Sequence, residues 1–133
     1  MLIFKGDLKM GYQEVSNSYL KNQVMSASPH KLIVLLYEGA IKNLKRAELS
    51  LTNQNALQAH QQLVKAQDII SELRSALNEK IDSKLPQELG QLYDFMERQL
   101  VRANVNKDKD LIAPVIKMLE ELLDAWRQIK VND

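Results

Sequence analysis

The chain has 133 residues, enough for one domain with its own core. It contains no cysteine, which excludes disulfides, zinc–thiolate sites and thiol nucleophiles. Its 18 basic and 17 acidic residues nearly cancel, so the basic excess of a nucleic-acid binder is missing.

The chain starts MLIFKGDLKM. This apolar stretch is too short for a secretory signal, and no small-residue cleavage site follows. Met10 offers an alternative start, which would make the first nine residues an extension. Residues 1–11 show no period, and we expect a disordered or loosely held segment there. Residues 12–133 are expected to form a single domain. Tyr12, Val15, Tyr19, Leu20 and Val24 make a weak helical stripe among polar neighbours, which predicts a short, mobile N-terminal helix over 12–24.

Ser28-Pro29 is a strong helix start. Serine accepts from free N–H groups, and proline lacks an N–H where none is needed. Lys31 stands where a capping box would place Glu, so the cap is incomplete. Apolar residues three or four apart, from Leu32 to Leu51, carry this helix to about Thr52. Asn53 to Asn55 break the pattern. A second helix is predicted over 55–79, with Leu63, Ala66, Ile70 and Leu73 on its stripe. After a loop, Pro86 opens a third helix carrying Leu89, Tyr93, Met96 and Leu100. Asn104 to Asp108 form a polar break. The last helix runs to about Ile129, and Pro114 means that it either begins near Asp110 or is kinked early. Four long helices with short connections predict an all-α, antiparallel up-down-up-down four-helix bundle.

The pattern exceeds what such a bundle needs. One face about 100° wide is enough to bury a helix. Residues 32–37 read LIVLLY, apolar for nearly two turns. Leu111, Met118 and Ile129 fall outside the main stripe of the last helix, and Leu122 widens it. Two readings fit: helices that touch neighbours on two sides, or a hydrophobic groove for a partner.

Catalytic constellations are missing. His30 and His60 lie in no metal-binding spacing, and no nucleotide or nucleophile-elbow motif occurs. Asp94, Glu97 and Arg98 read as a solvated helix face. Lys42, Lys45 and Arg46 form a small basic patch, for which a solvated face outweighs an acidic partner. No catalytic residue, metal or cofactor is expected. No apolar run reaches the ~18 residues of a membrane span, so membrane insertion is not expected either.

The segments Met25-Ser-Ala-Ser-Pro-His-Lys-Leu-Ile and Leu36-Tyr37-Glu38-Gly39-Ala40 resemble the first long helix of the flagellin export chaperones, the FliS family. Lys65-Ala66, Ile69-Ile70 and Leu73 resemble its next helix. Leu92-Tyr93-Asp94-Phe95-Met96, Leu100 and Ala103-Asn104 resemble the third, and Ala125-Trp126 the close of the last. Tyr19 matches a tyrosine of the family's N-terminal segment. The order and spacing hold from about Tyr12 to Ile129. Residues 1–10 extend beyond the family's usual start, and Pro114 interrupts a helix that is usually continuous.

The resemblance implies a helical bundle that works in the cytosol without being an enzyme. It implies binding of the disordered C-terminal segment of flagellin, prevention of premature polymerisation, and delivery to the flagellar type III export gate. An anti-sigma factor is a further partner implied by some members. On this basis Leu32, Ile33, Leu36, Tyr37, Ile69 and Leu73 are expected to line the groove for the flagellin tail, with Tyr19 as an internal plug. The competing reading is a homodimer formed through the same apolar surface in the absence of client.

Overall fold

The computed structural model describes residues 3–4 and 28–129. Among these residues the molecule is built from four α-helices: α1 (Pro29–Thr52), α2 (Ala56–Ala76), α3 (Leu85–Asn106) and α4 (Ala113–Gln128). The expected short N-terminal helix over 12–24 lies outside the described residues.

Each boundary has a local cause. The Ser28 hydroxyl accepts from the Lys31 N–H at 3.1 Å, with Pro29 at the first helical position, as the sequence predicts. Gln54, at φ 59°, turns the chain after α1. The Asn55 side chain then caps α2 by accepting from the Gln58 N–H at 3.1 Å. The α2 helix stops three residues before the predicted end. Leu77 adopts an extended ψ of 134° and forms an antiparallel bridge with Phe4, while the Asn78 N–H donates to the Ile3 carbonyl. A pairing distant in sequence thus overrides helix propensity.

The predicted break at Asn104 falls later. Asn104 is still helical and its amide meets His60 Nδ1 at 2.9 Å, so tertiary contact prolongs α3. Lys107, in the left-handed region at φ 52°, ends it. A 3₁₀ turn at Lys109–Leu111 follows, and α4 starts at Ala113. Pro114 therefore sits in the first turn, where its missing N–H has no partner to lose, so α4 begins later than Asp110.

Helix α1 is central. It packs against α2 on one flank and α4 on the other, and α3 packs on the far flank of α2. The ring is closed lightly between α3 and α4, which make few contacts with each other. One continuous core runs through all four helices. Across its diagonal the buried Tyr37 and Tyr93 hydroxyls hydrogen-bond at 2.5 Å.

The α1–α4 pair is also crossed by two ion pairs, Glu38–Arg127 at 2.6 Å and Lys45–Glu120 at 3.2 Å. Both are largely exposed, so each contributes about 0–1 kcal/mol and serves register more than stability. Between α2 and α3, Arg74 reaches Asp94 at 3.1 Å and Glu79 at 3.1 Å. Gly90 makes room for it: a Cβ there would stand 3.0 Å from the Arg74 guanidinium carbon.

Candidate functional site

The central position of α1 explains its uninterrupted apolar run. Leu32, Ile33, Val34, Leu36 and Tyr37 are all buried, because neighbours cover both flanks of the helix. Of the residues expected to line a groove, Leu32, Ile33, Leu36, Tyr37, Ile69 and Leu73 are each 3% exposed or less. The structure brings them together, but as core. In this conformation none of the six presents surface to a partner. Tyr19 lies outside the described residues.

Accessible apolar side chains gather elsewhere. On α3, Leu85, Leu92 and Phe95 recur at helical spacing and are 37–41% exposed. They lie on the flank opposite Gly90 and Asn104, the residues that face α2. On α4, Met118 and Leu122 share one flank, with Leu111 in the 3₁₀ turn before the helix and Ile129 just after its end. That flank lies opposite Glu120 and Arg127, which reach α1. Each set therefore borders the lightly packed α3–α4 junction. Leu111, Met118 and Leu122 are half-buried against the core, and Ile129 is exposed. The two sets form apolar flanks on either side of the α3–α4 junction, the candidate cleft.

The cleft was half legible. The surplus of Leu111, Met118, Leu122 and Ile129 stood out in sequence, but the groove was expected on the first two long helices. The missed signal is the second stripe on α3: Leu85, Leu92 and Phe95 repeat beside the core stripe of Leu89, Tyr93 and Met96. A smaller exposed set, Leu57, Val64, Val101 and Val105, lies on α2 and α3 near the other end.

Ile3 and Phe4 change the expectation of a loose terminus. Phe4 is 6% exposed, and its ring lies 5.8 Å from that of Trp126, which in turn stacks 6.5 Å from Tyr37. The bridge to Leu77 brings the Asn78 N–H to the Ile3 carbonyl, and the aromatic pair buries the Phe4 side chain.

Among the described residues the shifted groups are two tyrosines, an arginine and a glutamate. Burial pushes the Tyr37 and Tyr93 hydroxyls above the ordinary phenol range, so both stay protonated at neutral pH. Partial burial raises Glu97, with Asp94 adding to the effect and Arg74 opposing it. Asp94 is committed to Arg74. Among the described residues no three His, Asp or Glu side chains converge as a metal site. No described helix is long and apolar enough to cross a membrane. The arrangement is suited to burying apolar side chains of another chain. Covering the exposed part of Leu92 and Phe95 would be favourable at about 25 cal/mol per Å² removed from water.

The family model described as flagellar protein FliS matches residues 11–133. A Bacillus subtilis protein named flagellar secretion chaperone FliS is 35% identical over 119 residues, 90% of this chain and 88% of that protein. Proteins of the same name from Vibrio cholerae and Salmonella typhimurium are 36% and 37% identical, over 94% and 89% of this chain and 89% and 86% of theirs. A solved structure described as a flagellar chaperone from bacteria superposes with a TM-score of 0.71 at 26% identity, covering 89% of this chain and 93% of that one.

Proposed function

The chain belongs to the FliS family of flagellar proteins, and from that premise we propose that it is a flagellar secretion chaperone. It binds the disordered C-terminal segment of flagellin in the cytosol, prevents premature polymerisation, and assists delivery to the flagellar type III export gate. It performs no catalysis. The likeness, over most of its length, to named secretion chaperones carries this reading, and the exposed apolar Leu92 and Phe95 at the α3–α4 junction support it.

The physical logic is coupled folding and binding. A disordered apolar tail loses conformational entropy on binding and offsets it by burying a large surface. Leu92, Phe95, Met118 and Leu122 are the first contacts on this reading. Leu32, Ile33, Leu36, Tyr37, Ile69 and Leu73 would meet the client only if the bundle opened, and are otherwise core. Client release needs no nucleotide, because capture by the export gate removes the tail by mass action.

Calorimetric titration with the C-terminal segment of the organism's own flagellin, beside a tail-truncated control, tests this. Tight one-to-one binding with a large negative heat-capacity change, lost with the control, is expected. No binding by the folded protein to either form would overturn the reading and return the apolar surface to self-association.

A further inference from the structure

A second groove lies between α1 and α4, on the flank of α4 away from the α3–α4 cleft. It has a volume of about 700 Å³. Ile41 and Leu123, 8% and 5% exposed, lie at its floor, and Leu49, 61% exposed, supplies most of its accessible apolar side chain nearer the C-terminal end of α1. The ion pairs Glu38–Arg127 and Lys45–Glu120 cross it in one antiparallel register and neutralise four of its charges. Two cations remain. Lys42 and Arg46 stand one turn apart on α1, both exposed and both lining the groove, and among the described residues neither has a carboxylate partner. The remaining acid of the lining, Asp124, accepts from the Gln128 amide at 2.9 Å and keeps its charge, so the lining has four basic and three acidic residues, a net +1.

We propose that this groove is a docking site for an amphipathic helix of a partner protein, one that carries carboxylates a turn apart beside its apolar stripe. The α1 lining runs from Glu38 to Leu49, about three turns, and two antiparallel helices present a groove into which a third helix packs. A helix satisfies its own backbone, whereas an extended segment would bring unpaired N–H and C=O groups to an apolar floor that offers no sheet edge. Carboxylates one turn apart match the spacing of Lys42 and Arg46. A free anion would leave Ile41, Leu49 and Leu123 unused. The whole chain carries a net charge of only +1, so the attraction is local to this wall. The groove does not overlap the α3–α4 cleft, so both can be occupied at once.

The test uses the full chain and a designed helical peptide of about four turns, with a leucine stripe flanked by Glu one turn apart. A second peptide carries Lys at those positions. Fluorescence anisotropy at low and physiological salt reads binding. The Glu peptide should bind, more weakly as salt rises, and the Lys peptide should not. Lys42→Glu with Arg46→Glu should weaken the Glu peptide by about tenfold or more, with unchanged circular dichroism and unchanged binding of the flagellin segment. Equal binding of both peptides, or no effect of the double charge reversal, would overturn the proposal. So would a stable dimer that the double reversal breaks, because the occupant would then be a second copy.

Discussion

The Tyr37 and Tyr93 hydroxyls face each other at 2.5 Å across the diagonal of the bundle, and each is the buried polar partner of the other. Replacing Tyr37 by Phe orphans the Tyr93 hydroxyl, at a cost of about 1–3 kcal/mol, whereas Tyr93→Phe leaves Tyr37 its hydrogen bond with Trp126 and should cost less. Replacing both removes the need for a partner. The double Phe variant should therefore be less destabilised than the sum of the singles in urea unfolding. Additive costs would mean that the Tyr93 hydroxyl also has a second partner. Both phenol pKa values are raised, so the stability they contribute holds through neutral pH and is lost as pH rises through the folded values. Alkaline unfolding should shift upward in the double variant.

Leu36 and Phe95 separate core from cleft. Leu36 is fully buried, and Leu36→Ala should cost about 2–5 kcal/mol. Phe95 is 40% exposed, and Phe95→Asp should cost about 1–2 kcal/mol of stability while abolishing binding of the flagellin segment. Melting curves and titrations of both variants check this. Undiminished binding by folded Phe95→Asp protein would remove the cleft from the client surface.

Phe4→Ala should lower stability by about 2–3 kcal/mol, somewhat below the usual range for a central core Phe, because its ring packs at the end of the bundle. Tryptophan fluorescence should report the change directly, since Phe4 lies against Trp126, the chain's one tryptophan. An unchanged spectrum and melting temperature would show that the Phe4–Trp126 contact contributes nothing in solution.

Glu97→Gln should stabilise the protein at neutral pH. Partial burial raises the Glu97 pKa, so folding disfavours its charged form. The glutamate is neutral in both states below its unfolded pKa and unfavourable in the fold above its folded pKa. The gain from Gln should therefore vanish as pH falls below the ordinary carboxylate range. A gain that persists at low pH would point to packing instead of charge.

The sequence by itself determined the helices, because apolar spacing and the signals at Ser28-Pro29, Asn55 and Pro86 act over a few residues. It also carried the family resemblance and the surplus on α4. Which apolar residues are core and which are cleft was decided only by the tertiary structure. Leu36 and Phe95 use the same chemistry, and only their neighbours separate them: α1 is flanked on both sides, while α3 meets α4 lightly. The end of α2 shows the same limit. Leu77 continues a helical pattern in sequence, yet it leaves the helix to pair with Phe4, more than seventy residues away. Burial and backbone pairing depend on distant parts of the chain, and no local period encodes them.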